Sequence, residues 1–218
     1  MKYTTALFDL DGTITDSCPG ILTSIRYALK KQGLDEPPEE VLRSFIGPPL
    51  KQQFQTVFNL SDEEGDSMVA AYREYYGEKG IFENSVYCGV AEALKSLRDA
   101  GVKVLMATSK PEKYARRIAD YFGFDKYFDF IGGACMDGSR TVKHEVIQYV
   151  LDMCCISGEE KEHAVMIGDR RHDIEGAKLC GLHSIGVLYG YGSREELEKA
   201  GAQEIAQTPA DVVRLITG

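Results

Sequence analysis

The chain has 218 residues, with 25 Lys and Arg against 34 Asp and Glu, so its formal net charge at pH 7 is −9, and 44% of its residues are hydrophobic. This composition supports a sizeable core without disulfides or structural metals and disfavours intrinsic disorder. The acidic balance excludes a nucleic-acid binder that relies on a broad basic face, because such binding needs clustered Lys and Arg. Phosphate can still bind at one point where backbone N–H groups, a Lys and a divalent cation converge.

The amino terminus and the cysteines predict a cytoplasmic protein. Only Lys2 is basic among the first thirteen residues, and Asp9 and Asp11 interrupt any apolar signal-peptide core. No apolar run approaches the roughly 20 residues that span a membrane. The six cysteines show no metal-finger spacing, which is typical of reduced thiols. We therefore expect no membrane or nucleic-acid partner, and a monomer or weak homodimer.

Five apolar segments predict strands of a parallel sheet covered on both faces. They are residues 4–8, 102–107, 128–131, 164–167 and 184–187. Helical periodicity fills the intervals, as in Val90, Ala93, Leu94 and Leu97 ahead of Gly101. This alternation predicts βαβ units and a Rossmann-like α/β core.

The segment from residue 16 to residue 83 breaks this alternation. It contains four helix-like patterns and no convincing strand, and Pro48 and Pro49 lie in an internal turn that cannot continue a helix. We therefore predict an α/β core formed by residues 1–15 and 84–218, with an inserted all-helical domain at 16–83.

Polar side chains with chemical potential follow the predicted strands at their carboxyl ends, where parallel sheets carry their reactive surface. Four carboxylates there would repel one another strongly unless a cation lay among them. Oxygen ligands without paired His or Cys favour Mg²⁺. The residues are, in chain order, Asp9, Asp11, Thr108, Ser109, Lys110, Lys143, Asp169 and Asp173.

The spacing Asp9-x-Asp11 places both carboxylates on one side of an extended segment. One carboxylate can attack phosphorus to form an aspartyl-phosphate, while the other protonates the leaving oxygen and later deprotonates water. Gly12 and Thr13 offer backbone N–H groups for a phosphoryl oxygen. A hydroxyl at Thr108 and a positive charge at Lys143 suit the negative charge of the transferred group.

These residues resemble the four ordered motifs of the haloacid-dehalogenase-like hydrolase superfamily. The motifs are Asp9-Leu10-Asp11-Gly12-Thr13, then Thr108, then Lys143, then Gly168-Asp169 with Asp173. The resemblance implies that Asp9 is the nucleophile and a Mg²⁺ ligand, and that Asp11 is the general acid/base whose backbone carbonyl also binds Mg²⁺. It further implies that Thr108 and Lys143 bind phosphate, that Asp169 is a Mg²⁺ ligand, and that Asp173 holds the metal's waters. Ser109 is expected to contribute its backbone N–H, and the helical insertion looks like the family's cap.

Within the superfamily, the chain looks most like the phosphoglycolate phosphatases. Four segments carry this likeness: residues 46–50, 108–111, 168–173 and 185–192. The third-motif Lys of those phosphatases is often followed by Pro, whereas His144 follows Lys143 here. Lys110 is therefore the alternative phosphate-binding Lys.

The leading hypothesis is a Mg²⁺-dependent hydrolase of a small phosphorylated metabolite. A 5'-nucleotidase or a pyrophosphatase of the same fold fits the motifs equally, as does a phosphosugar mutase of the β-phosphoglucomutase kind. A phospho-acceptor switch or binding module is the non-enzymatic alternative, although a receiver domain carries its acceptor Asp on a later strand than its acidic pair.

Overall fold

A computed structural model describes residues 1–218, which divide into two compact units. One comprises Met1–Thr15 and Val86–Gly218, and the other comprises Asp16–Ser85. The second boundary therefore follows residue 85, where the sequence placed it after residue 83. The first strand of the chain is β1 (Thr5–Phe8). Each of the two crossings between the units lies within a short strand, β2 (Thr15–Asp16) or β3 (Ser85–Val86), and these two strands pair with each other.

The second unit is helical. Its elements are α1 (Cys18–Gln32), α2 (Glu39–Arg43), α3 (Leu50–Phe58), α4 (Asp62–Glu78) and a 3₁₀ turn at Gly80–Phe82. The turn with Pro48 and Pro49 separates α2 from α3, as their fixed φ and missing N–H groups require. In α1, a Cβ at Gly20 would overlap the Gly80 carbonyl oxygen, so the absence of a side chain allows the helix to contact the 3₁₀ turn backbone to backbone.

The first unit is built on a six-stranded parallel sheet. Its later strands are β4 (Lys103–Pro111), β5 (Phe130–Ala134), β6 (Ala164–Gly168), β7 (His183–Val187) and β8 (Glu204–Ala206), and the strand order is β5-β4-β1-β6-β7-β8. Its helices are α5 (Val90–Asp99), α6 (Glu112–Phe122), α7 (Lys143–Met153), α8 (Arg171–Leu179), α9 (Arg194–Ala200) and α10 (Pro209–Thr217). The predicted parallel α/β architecture is confirmed.

The position of β1 in the middle of the sheet assembles the site. Phe8 pairs with Met106 of β4 on one side and with Ile167 of β6 on the other. Because all three strands are parallel, their carboxyl ends meet at one edge, and the residues that follow them become neighbours. Packing of α7 against the sheet through Val146, Ile147 and Val150 supports this edge from one face.

Three parts of the sequence prediction differ from the structure. The predicted strand at 102–107 extends to Pro111, and the one at 128–131 begins only at Phe130, after a 3₁₀ turn at Asp125–Tyr127. The edge strand β8 was missed because it is short and half-buried and has no apolar run. None of the six cysteines forms a disulfide, and none of the helices is both long and apolar enough to cross a membrane.

Candidate active site

Asp9 is the first residue after β1, and its backbone still bonds to the sheet, because its N–H donates to the Ile167 carbonyl at 2.9 Å. A tight loop follows. Gly12 has a φ of +82°, in the left-handed region that glycine enters without strain. Its N–H donates to the Thr15 carbonyl at 2.8 Å, and the Thr13 N–H donates to the Leu10 carbonyl at 3.2 Å.

These loop hydrogen bonds correct the expectation that Gly12 and Thr13 offer their N–H groups to a phosphoryl oxygen. Both groups are used inside the loop. The N–H groups of Leu10 and Asp11 have no acceptor within the protein and are the donors that this loop leaves for a ligand. The sequence motif cannot distinguish the N–H groups that bond within the loop from those that do not, because this depends on the geometry of the turn.

Lys143 lies among buried carboxylates. It begins α7, its side chain is 5% exposed, and its Nζ lies 2.8 Å from Asp9 Oδ1 and 2.7 Å from Asp173 Oδ1. The same ammonium donates to the Ala107 carbonyl at 3.1 Å. Burial lowers the pKa of Lys143, but the charges of Asp173 and Asp9 outweigh this effect and the net shift is upward, so the side chain is a cation at neutral pH.

Three aspartates, two of them in contact with this ammonium, form a cluster that we call the three-carboxylate cluster: Asp9, Asp169 and Asp173. All three are buried, and one oxygen of each lies within 4.8 Å of the others. Burial raises the pKa of Asp9, and burial together with the charges of Asp173 and Asp9 raises that of Asp169 well above its usual range. These shifts arise because one ammonium cannot neutralise three desolvated carboxylates.

The three-carboxylate cluster fits a divalent cation. Asp9 Oδ1 and Asp173 Oδ1 are fully buried and share the single ammonium of Lys143, at 2.8 and 2.7 Å, so the cluster keeps an excess of negative charge. The donor set consists of hard carboxylate oxygens, which Mg²⁺ prefers. Asp9, Asp169 and Asp173 are therefore the residues that would hold the ion.

Asp11 does not join this cluster. Its carboxylate accepts hydrogen bonds from Lys110 Nζ at 2.9 and 2.6 Å, and the Lys110 side chain is 4% exposed. The expectation that four carboxylates converge on a cation is therefore wrong for the Asp11 side chain, and the metal role of its backbone carbonyl stays a prediction. Lys110 lies against Asp11, whereas Lys143 is the Lys that contacts the candidate nucleophile Asp9.

Thr108 lies at the site, buried near the end of β4. Its Oγ1 accepts the Lys110 N–H at 3.2 Å, and its hydroxyl hydrogen bond to Asp9 partly opposes the burial that raises the pKa of Asp9. Ser109, the next residue, is half-buried, and the role of its N–H stays a prediction.

Asp169 accepts hydrogen bonds at both carboxylate oxygens. The Thr13 hydroxyl donates to Oδ1 at 3.2 Å, and the Tyr191 N–H donates to Oδ2 at 2.8 Å. Neither contact was predicted from the sequence. The only signal for the second was a Gly-x-Gly pattern, Gly190-Tyr191-Gly192, which begins three residues after the end of β7.

A family model of the haloacid dehalogenase-like hydrolases matches residues 6–187. The chain belongs to this family. A solved structure described as a predicted phosphatase from Clostridium acetobutylicum superposes on this haloacid dehalogenase-like chain with a TM-score of 0.94 and 40% identity, covering 100% of this chain and 99% of that one.

Curated relatives carry several activity names. A 5'-nucleotidase of Pseudomonas aeruginosa is 44% identical over 90% of this chain and 88% of its own length. A phosphoglycolate phosphatase of Aquifex aeolicus is 29% identical over 96% of this chain and 95% of its own length. PtkA, a tyrosine-protein kinase of Mycobacterium tuberculosis, is 38% identical over 88% of this chain but only 65% of its own length. The predicted enzyme class, a phosphatase of the haloacid dehalogenase-like family, is confirmed.

Proposed function

We propose that this haloacid dehalogenase-like enzyme is a Mg²⁺-dependent hydrolase of a small phosphate monoester and that Asp9 is its nucleophile. The observation that carries the proposal is the placement of Asp9. Its carboxylate lies at the carboxyl end of the central strand, within 2.8 Å of Lys143 Nζ and within the three-carboxylate cluster. An attacking carboxylate and a dianionic phosphate repel each other, and the positive charge of Lys143, together with that of a cation bound in the cluster, would offset this repulsion.

The first half of the reaction transfers the phosphoryl group to Asp9. A carboxylate oxygen of Asp9 forms a bond to phosphorus as the bond to the ester oxygen breaks, and Asp11 gives its proton to the departing oxygen. Lys143 and the Thr108 hydroxyl stabilise the negative charge on the transferred group, and the N–H groups of Leu10 and Asp11 supply further donors. A bound Mg²⁺ would neutralise charge on the phosphate oxygens.

The second half releases inorganic phosphate. Asp11 removes a proton from water as the water oxygen attacks phosphorus, and the bond between phosphorus and the Asp9 oxygen breaks. Asp9 returns as a carboxylate and Asp11 again carries a proton. Asp11 thus acts as acid and then as base, and to do so its carboxyl group leaves the Lys110 ion pair and takes up a proton before the first step.

For the substrate, we propose only a choice between two chemical classes. The resemblance to phosphoglycolate phosphatases favours a small phosphorylated acid, whereas the 44% identity to a 5'-nucleotidase favours a nucleoside 5'-monophosphate. We assign the choice between them to the helical unit, in keeping with its predicted cap role. The cytoplasmic location, the absence of nucleic-acid partners and the monomeric or weakly dimeric state stay predictions.

Phosphate release from an aryl phosphate tests the reaction. We expect Asp9→Asn to abolish release, and EDTA to abolish release by the wild type until Mg²⁺ is restored. Asp99→Asn is the matched control, because Asp99 is an exposed residue of α5 that pairs only with Lys95 on its own helix. Full activity of Asp9→Asn, or of the wild type in EDTA, would contradict the proposal.

A substrate panel separates the neighbouring activities. Phosphoglycolate, nucleoside 5'-monophosphates, pyrophosphate and hexose phosphates are compared by kcat/KM, with product analysis for each. A hexose-phosphate isomer formed without free phosphate would indicate a mutase. Transfer from ATP to a tyrosine peptide without hydrolysis of any monoester would indicate a kinase.

A further inference from the structure

The carboxylate of Asp169 is enclosed by the backbone of two loops. Gly12 belongs to the loop after β1, and Gly190 and Gly192 belong to the loop after β7. A Cβ at Gly12 would overlap Asp169 Oδ2, one at Gly190 would overlap Asp169 Cβ and the Gly12 carbonyl oxygen, and one at Gly192 would overlap the Asp169 carbonyl oxygen. The two loops therefore approach Asp169, and each other, only because these three residues lack side chains.

Two donors fix the orientation of this carboxylate. The Thr13 hydroxyl and the Tyr191 N–H each bind a different oxygen of Asp169, whose residue is fully buried. An ionised carboxylate offers about four lone-pair sites, so two donors leave each oxygen one free site. The carboxylate belongs to a cluster in which Asp9 and Asp173 each contribute an oxygen within 4.8 Å.

We propose that these two loops form a seat that positions Asp169 as a divalent-cation ligand and thereby sets the affinity of the site for Mg²⁺. The Asp169 seat comprises Gly12, Thr13, Gly190, Tyr191 and Gly192. Its members are positioning residues, because they act on the ion through Asp169. The inference rests on the Mg²⁺ dependence in the proposed function.

The physical reason lies in the geometry that a small cation demands. Mg²⁺ requires near-octahedral oxygens and loses its waters reluctantly, so a carboxylate free to rotate would bind it more weakly. Groups that hydrogen-bond a metal ligand from behind typically contribute 10–100-fold to metal affinity. The Asp169 seat supplies such groups from a backbone N–H and a buried hydroxyl, together with steric walls on two sides.

Substitutions at Thr13 test the hydroxyl directly. Thr13 is fully buried, and valine has nearly its shape but cannot donate, so Thr13→Val removes one hydrogen bond to Asp169 with little change in packing. We expect its dissociation constant for Mg²⁺, measured by titration calorimetry without substrate, to rise about 10–100-fold. Thr13→Ser keeps the hydroxyl and is expected to restore most of the affinity.

Substitutions of glycine test the steric walls. Neither Gly190 nor Gly192 has a φ in the left-handed region, so an alanine there is limited only by space. We expect Gly190→Ala to weaken Mg²⁺ binding at least as much as Thr13→Val. Gly186→Ala is the matched control: it lies on β7, and its Cβ would crowd Leu197 and Ile205 at 2.9 and 3.0 Å rather than Asp169. It is expected to lower thermal stability while leaving the Mg²⁺ affinity unchanged.

The outcomes separate the Asp169 seat from the proposed function. If the wild type binds Mg²⁺ and Thr13→Val and Gly190→Ala bind it equally well, the inference is wrong and the proposed function stands. Equal weakening in Gly186→Ala, or no recovery in Thr13→Ser, also overturns the inference, because the effect then reflects general loosening. If the wild type binds no Mg²⁺ and turns over in EDTA, the Mg²⁺ dependence and the seat both fail. If Gly190→Ala does not fold, the Mg²⁺ affinities of Thr13→Val and Thr13→Ser test the inference by themselves.

Discussion

Lys143 is the counter-charge that makes the buried acidic site compatible with a folded chain. Its ammonium lies within 2.8 Å of both Asp9 and Asp173, and its side chain is 5% exposed. Buried carboxylates left without a partner are strongly unfavourable, because water no longer solvates them. The same contact thus supports the fold and places a positive charge beside the proposed nucleophile.

Removing this charge should cost stability as well as activity. We expect Lys143→Met to lower the free energy of unfolding of the metal-free protein by about 3–5 kcal/mol, because it leaves Asp9 and Asp173 without their ammonium. Urea denaturation measures the change. Lys103→Met is the control on the same sheet, since Lys103 is exposed, and its effect is expected within about 0.5 kcal/mol. Equal losses in both variants would contradict this account.

The sequence could identify the charged residues of the site but not all of their partners. Asp9, Asp169, Asp173 and Lys143 were predictable because each follows an apolar strand or opens a helix in a recognisable order. The pairing of Lys110 with Asp11 joins residues 99 positions apart, so it depends on the register of β1 against β4.

At the scale of elements, two glycines of the helical unit differ in what they pack against. Gly20 in α1 lies against the 3₁₀ turn, and its N–H donates to the Glu83 carbonyl at 2.9 Å. Gly65 in α4 lies against the flexible side chains of Gln55 and Lys51, at 3.0 and 3.2 Å from a Cβ placed there. Only the first contact is backbone against backbone.

Identical substitutions at these two glycines should therefore have opposite effects. Gly20→Ala is expected to destabilise the protein by about 1–3 kcal/mol, because the Gly80 carbonyl cannot yield to a new methyl group. Gly65→Ala is expected to stabilise it by up to about 1 kcal/mol, because alanine loses less backbone entropy in a helix. Thermal unfolding of both variants measures the difference. A stabilised Gly20→Ala would show that α1 does not pack this closely.

The elements themselves were predicted unevenly. Apolar strands such as β6, which is buried along its whole length, can be predicted from their composition alone. The strand β8 is short and half-buried, so its residues carry no signal that distinguishes them from a loop. The Asp169 seat is harder still, because it consists of a backbone N–H and missing Cβ atoms, and neither belongs to a recognisable side chain.

At the scale of the whole molecule, the acidic site couples stability to pH and, under the proposed Mg²⁺ dependence, to Mg²⁺. The folded state raises the pKa of Asp9 and of Asp169 above the ordinary value. A carboxyl group with a raised pKa contributes stability that is fully present below its unfolded pKa and is lost as the pH rises through its folded pKa. The metal-free protein therefore loses this contribution as the two groups ionise.

Under the proposed Mg²⁺ dependence, Mg²⁺ should reverse the loss, because a metal ion binds carboxylates in their ionised form. We expect the increase in the free energy of unfolding on adding a fixed concentration of Mg²⁺ to be larger at about pH 8 than at about pH 5. Denaturant unfolding at both values measures it, with NaCl at matched ionic strength as the control for screening. The same increment at both pH values would show that Asp9 and Asp169 do not titrate on Mg²⁺ binding.

The central position of β1 also sets the order in which the molecule can be completed during synthesis. The last residue of β1, Phe8, pairs with Met106 on one side and with Ile167 on the other. The helical unit is contiguous in the chain and emerges from the ribosome before either partner. At about 5–20 residues per second, the roughly 150 residues between β1 and β6 take on the order of ten seconds to make. The strand that precedes the proposed nucleophile Asp9 is thus among the first segments translated and among the last to be fully paired. A nascent chain released before β6 has the helical unit but no assembled active site.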